Sequence, residues 1–189
     1  MSFLQQLRAA PNLLTLLRLF LIPYLVIQIL DGRYGIALTL FVIAGISDGL
    51  DGMMARALKQ STRLGQYLDP IADKLLLSTM FLTLTHINLI PRYVTVLVFS
   101  RDFGILLIST LLFATNTLRD FRPSLLGKLN TLAQIVAVLT TLIVQHWRMP
   151  HIHHANNLLI LAIAWLAPLS AAQYAWIVTR RIQEKPAAV

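Results

Sequence analysis

From Leu13 to Leu30 the chain runs eighteen residues with a single charge, Arg18. Further long apolar stretches follow, separated by short polar connections. A run of about 20 apolar residues is the length a helix needs to cross about 30 Å of hydrocarbon, and a helix satisfies its own backbone there. The pattern predicts spans at about 12–30, 34–57, 68–87, 93–114, 125–146 and 157–178. The expected fold is all-α: one integral membrane domain over 1–189, an antiparallel bundle of six transmembrane helices. Composition agrees: 57% of residues are hydrophobic and 13% charged, against about 45–50% apolar in a soluble domain. The run after Arg8 is too long, and lacks a small-x-small exit site, for a cleavable signal peptide. Ser2–Ala10 has the mixed pattern of a short interfacial helix, with a frayed terminus as the alternative.

The basic residues orient the bundle. With the N-terminus inside, cytoplasmic segments carry Arg8, Arg56, Lys59, Arg63, Arg119, Arg122, Lys128, Arg180, Arg181 and Lys185. Outer loops carry only Arg33, Arg92 and Arg148. Positive charge marks the cytoplasmic side, so both termini are expected there. The net charge of +8 then reflects span flanks beside anionic lipid rather than a nucleic-acid surface, for which no motif is present. With no cysteine, disulfides and thiol chemistry are excluded. His146, His151, His153 and His154 fall in an expected outer loop, where a solvated role outweighs a metal site.

Against this background the acidic residues stand out. Four of the eight, Asp48, Asp51, Asp69 and Asp73, lie in or beside apolar spans, where an unpaired carboxylate is expensive. Spacings of three and four put each pair on one helix face. Two such helices facing each other gather four carboxylates, a donor set for Mg²⁺ or Mn²⁺. Four carboxylates suffice for two ions, which can stabilise the oxygens entering and leaving phosphorus. Gly49, Gly52, Ala55 and Gly65 allow close backbone approach, and Arg56 can pair with a phosphate. Ion pairing of the four Asp with Arg56, Lys74 or Arg18 is the purely structural alternative. A small cation transporter is the alternative from another class, but the carboxylates sit near one end of their spans only.

The stretch Asp48–Asp73 matches D-x2-D-G-x2-A-R-x8-G-x3-D-x3-D at every fixed position: Asp48, Asp51, Gly52, Ala55, Arg56, Gly65, Asp69 and Asp73. In this the chain resembles the CDP-alcohol phosphotransferase (phosphatidyltransferase) family. Pro11-Asn12-Leu13-Leu14-Thr15-Leu16-Leu17-Arg18 is similar to that family's N-terminal P-N-x-L-T-x-x-R. The resemblance implies transfer of a phosphatidyl or related group from a CDP-linked donor to an alcohol, with release of CMP. It implies that Asp48, Asp51, Asp69 and Asp73 hold two Mg²⁺ or Mn²⁺ ions and that Asp73 is the base. It places Asp48, Asp51, Gly52, Ala55, Arg56, Thr62, Gly65 and Asp69 around the CDP group, and implies a homodimer.

The acceptor side rests on polar residues outside that stretch. Arg18 inside the first span is a functional candidate by default. Lys74, Arg101 and Asp102 lie within later spans, and Lys128, Asn130, Thr131 and Gln134 open the fifth at helical spacing. Their alternative is ordinary ion pairing or interhelical polar packing. Asp69-Pro70-Ile71-Ala72-Asp73-Lys74 and Gly127-Lys128 resemble the enzymes of phosphatidylglycerophosphate and cardiolipin synthesis. Asn88-Leu89-Ile90-Pro91, Ser100-Arg101-Asp102 and Lys128-Leu129-Asn130-Thr131 resemble the mitochondrial-type cardiolipin synthases within that group. The donor implied is CDP-diacylglycerol. Phosphatidylglycerol stands slightly ahead of glycerol 3-phosphate as acceptor, and both remain open. With no transit peptide visible, the expected location is a bacterial inner membrane with the site facing the cytoplasm.

Overall fold

A computed structural model describes residues 10–57, 63–114, 124–148 and 150–183, with side chains placed at 12–49, 71–112, 124–148 and 152–183. The expected interfacial helix before Ala10, Thr62 and the tail after Gln183 lie outside the described residues. Among those described there are six helices and no strand: α1 Ala10–Leu30, α2 Tyr34–Ala57, α3 Arg63–His86, α4 Arg92–Ala114, α5 Leu125–Trp147 and α6 Pro150–Gln183. Helix α1 packs on α2 and α3, α6 packs on α4 and α5, and α2 meets α5.

Four helices are long and apolar enough to cross a membrane, α1, α4, α5 and α6, as befits a membrane protein. The other two expected spans, at about 34–57 and 68–87, fall on α2 and α3, each of 24 residues. In α2 the stretch Tyr34–Gly49, where its side chains are described, is apolar. Helix α3 carries Asp69, Asp73 and Lys74 in its first half. Helix α6 is longer than expected: its 34 residues span about 50 Å at 1.5 Å per residue. The expected histidine loop is therefore largely absent. His146 ends α5, and His151, His153 and His154 occupy the first turns of α6. Pro150 explains the early start, since its fixed φ and missing N–H suit a first helical turn.

The turns have identifiable chemistry. Gly32 takes φ 72°, its N–H donates to Ile29 O at 3.0 Å, and the Arg33 N–H donates to Gln28 O at 2.8 Å. This paired closure is a Schellman cap. Helix α3 ends in the same way on Asn88, at φ 59°, with Leu89 N–H donating to Leu84 O at 2.8 Å. Asn88-Leu89-Ile90-Pro91 is thus a helix stop followed by a proline, and it carries fold information rather than acceptor information. Asn88→Leu should lower stability by about 1–2 kcal/mol, because the left-handed region crowds Cβ against the following carbonyl and Leu lacks the short polar side chain whose local hydrogen bonds let Asn adopt it. Asn88→Gly should be neutral. Thermal unfolding in detergent checks both, and a Leu variant as stable as the parent would contradict the cap.

The helices are sided in an unusual way. On α1 the exposed residues are Leu13, Leu17, Phe20, Tyr24 and Ile27, a lipid-type stripe. Its buried residues are Asn12, Thr15 and Arg18, followed by Ile22, Leu25 and Ile29, with Gln28 the one polar residue among the latter. The interior is therefore divided along its length. Leu25, Ile29, Phe41, Phe81, Leu84, Ile90, Val94 and Leu142 form an apolar core. Toward the end where α1, α3 and α5 begin, buried positions become polar or charged.

Candidate active site

The polar end is assembled around Arg18. Its guanidinium is fully buried, with Nη2 3.0 Å from Asp48 Oδ1, and Nη1 donates to Asp73 Oδ1. The two carboxylates come from α2 and α3, which both pack against α1. Their side chains are 47% and 45% exposed, so the cation is dry while the acids open outward. They open into a cavity of about 190 Å³ with Phe41, Gly45, Leu76, Leu77, Thr131 and Ile135. Asp51, Gly52, Ala55 and Arg56 lie in the last two turns of α2, and Gly65 and Asp69 in the first two turns of α3. The side chains of those six lie outside the described residues.

The arrangement meets one test for a hard dication. Oxygen atoms of Asp48 and Asp73 already converge on a single positive group, and carboxylate oxygen is the donor that Mg²⁺ and Mn²⁺ prefer. Gly45 leaves open space on the α2 side, where an added Cβ would meet nothing within 4 Å.

A second, larger cavity of about 480 Å³ adjoins the first through the shared wall residues Thr131 and Ile135. Its charged lining residues are Arg101 and Lys128, both basic, and Ser124 and Tyr174 add hydroxyls. Arg101 is held from two sides. Its Nε donates to Ser170 Oγ at 3.1 Å, and its Nη1 donates to Asp102 Oδ1. A Cβ added at Gly127 would lie 2.9 Å from Arg101 Nη2, so the missing side chain admits the guanidinium to the start of α5. Ser124 caps that helix, accepting from the Gly127 N–H at 3.0 Å. Two cations and a helix N-terminus give this cavity a positive lining, the electrostatics that suit an anion.

The remaining acceptor candidates separate. Lys74 Nζ lies 3.5 Å from Asp102 Oδ1, and these two face a small cavity between α3 and α4 rather than the Asp48 side. The neighbouring-helix ion pair expected as an alternative for Asp102 is therefore present. Asn130 is fully buried on the inner face of α5. Sequence reasoning missed Ser170 and Tyr174. Ser170 fixes Arg101, and the Tyr174 hydroxyl shares a 2.7 Å hydrogen bond with Ser109. Their signal was available, as two polar groups four residues apart on one face of an otherwise apolar helix.

The residue pattern, the helical fold and the paired acidic and basic cavities define a class. The chain belongs to the CDP-alcohol phosphatidyltransferase family, whose model matches residues 8–178. That family generally uses divalent metal ions. Relatives of two kinds are found. The chain is 35% identical over 150 residues to cardiolipin synthase (CMP-forming) of Rattus norvegicus, covering 70% of this chain and 49% of that protein. It is also 35% identical over 173 residues to the CDP-diacylglycerol–glycerol-3-phosphate 3-phosphatidyltransferase of Salmonella choleraesuis, covering 87% and 91%. The protein of that second name from Bacillus subtilis is 35% identical over 143 residues, covering 68% and 73%. The chain thus spans about half the length of the animal synthases it matches, and most of the length of the bacterial ones.

Proposed function

We propose that this protein transfers a phosphatidyl group from CDP-diacylglycerol to a glycerol-headed acceptor, at a site facing the cytoplasm of a bacterial inner membrane. The observation that carries the reading is the convergence of Asp48 and Asp73 on one cation, beside a cavity whose charged lining is basic. All six helices cross the membrane and both termini are cytoplasmic, with α2 and α3 shielded by α1. Asp48, Asp51, Asp69 and Asp73 hold two Mg²⁺ or Mn²⁺ ions. When bound, these offset the diphosphate charge and favour departure of CMP.

The chain's own groups do the rest. Gly52, Ala55, Arg56, Thr62 and Gly65 surround the cytidine and its phosphates together with the aspartates. The acceptor hydroxyl attacks the β-phosphorus of the donor. A new P–O bond forms, the bond from that phosphorus to the oxygen of CMP breaks, and the hydroxyl proton passes to Asp73. Arg18 is a positioning residue that fixes the Asp73 carboxylate. Arg101 and Lys128 receive the acceptor's phosphate in the larger cavity. The pair Lys74–Asp102 braces α3 against α4.

Phosphatidylglycerol is the first acceptor on the strength of Ser100-Arg101-Asp102 and Lys128-Leu129-Asn130-Thr131. Glycerol 3-phosphate is the second reading, favoured by the 91% coverage of the Salmonella relative. The purified protein should release CMP from CDP-diacylglycerol only with a divalent ion and a glycerol-headed acceptor, and the lipid product identifies which. Absence of CMP release with every acceptor and either metal would overturn the proposal.

A further inference from the structure

The inner face of α5 carries two buried side-chain amides, Asn130 and Gln134, one turn apart and 0% and 1% exposed. None of their four polar atoms, Asn130 Oδ1 and Nδ2 or Gln134 Oε1 and Nε2, has a hydrogen-bond partner among the described residues. Buried polar groups in folded proteins are nearly always paired, so two adjacent orphan amides need an explanation. The same helix face shows what a purely structural polar pair looks like. Thr141, two turns further on, donates to Ala137 O at 2.7 Å and accepts from Asn156 Nδ2 at 3.1 Å.

Position identifies the missing partner. Thr131 and Ile135, which directly follow the two amides, form the wall shared by the acidic and basic cavities. The amides therefore lie one position along α5 from each of these wall residues, at the same depth in the bundle, on its buried inner face. They are neutral, and each offers both a donor and an acceptor, so a phosphate is better served by Arg101 and Lys128. A hydroxyl, which also donates and accepts, matches an amide pair.

We infer that Asn130 and Gln134 form a hydroxyl-recognition site for the acceptor's glycerol, binding the middle hydroxyl that does not react and so aligning the terminal one that does. This rests on the phosphatidyl-transfer reading and names the chemistry of its acceptor pocket. A site built to hydrogen-bond a hydroxyl discriminates strongly against an analogue lacking it, because its own groups are then left unpaired.

The test uses the full-length protein with Asn130→Leu and Gln134→Leu, and Gln134→Met as a variant of closer shape. Two acceptors are compared with the parent's preferred phosphate or phosphodiester: the glycerol form and the 3-hydroxypropyl form, which lacks the middle hydroxyl. The parent should prefer the glycerol form. Each variant should lose roughly tenfold of that preference, as expected for one hydrogen bond. Turnover of the 3-hydroxypropyl acceptor and KM for CDP-diacylglycerol should stay within about twofold. Thermal midpoints should be unchanged or raised, since an unpaired amide is removed in each case. An unchanged preference in folded variants overturns the inference and leaves buried water as the amides' partner. A lowered midpoint with unchanged preference likewise overturns it, in favour of a structural role. If the parent shows no CMP release with any acceptor, the phosphatidyl-transfer reading falls and the hydroxyl site falls with it.

Discussion

Asp73→Asn should fold, bind the CDP-linked donor, and lose CMP release by about 10²–10⁴-fold, the usual contribution of a positioned general base. The amide keeps the shape of the carboxylate, and its oxygen still accepts from Arg18, so the geometry around α1 and α3 survives. What it cannot do is take the acceptor's proton. Asp48→Asn provides the contrast. Asp48 shares the same cation but has no proton to receive in this scheme, so its loss should act through metal affinity. Raising Mg²⁺ or Mn²⁺ should restore much of the activity of Asp48→Asn and little of that of Asp73→Asn. Equal rescue of both variants would remove Asp73 from the role of base and leave it a ligand.

Arg18→Met should have the largest effect on stability. The guanidinium is fully buried and bridges two helices through Asp48 and Asp73. Breaking a fully buried pair costs about 3–5 kcal/mol. The acids here are about half exposed, so solvent screening reduces the expected loss to about 2 kcal/mol. For a chain of this size that corresponds to about 4–8 °C in the unfolding midpoint. The loss should be greatest in chelator and partly reversed by Mg²⁺, because a dication can then hold the two carboxylates together. Arg18→Lys should recover only part of the stability, since one ammonium does not reproduce the planar fork that reaches both acids. A midpoint in chelator equal to that of the parent would show that the bridge contributes nothing to folding.

Hydropathy made four helices legible almost to the residue. Expected 12–30, 34–57, 93–114 and 125–146 compare with Ala10–Leu30, Tyr34–Ala57, Arg92–Ala114 and Leu125–Trp147. It failed where helix and hydrocarbon part company. Apolar length reports the thickness a helix must cross, not how far it continues beyond, so both ends of α6 and the start of α3 were drawn short. The acidic pair was legible because charge inside an apolar run is rare and its spacing is helical. Arg18 was legible as a functional candidate and as a possible ion-pair partner of the four aspartates, and it does pair with Asp48 and Asp73; which two it meets was not legible, since Asp73 is 55 residues away and one sequence carries no record of such a contact. Arg101 on Ser170 spans 69 residues and was hidden for the same reason. The orphan amides could be named as polar residues on α5. Their lack of partners is a property of the packed interior alone.

The position of Arg18 also bears on how the chain is made. In chain order α1, which carries the cation, comes before α2 and α3, which carry the acids. An aspartate within a span opposes insertion, by at most about 2.5–3.5 kcal/mol, the figure for the centre, and α3 holds both Asp69 and Asp73 in its first half. With α1 already in the bilayer, Asp48 and Asp73 meet the guanidinium they pair with in the finished fold, so α2 and α3 are admitted as a group rather than one by one. The same arginine that orders the finished site would then act during synthesis as a chaperone within the chain.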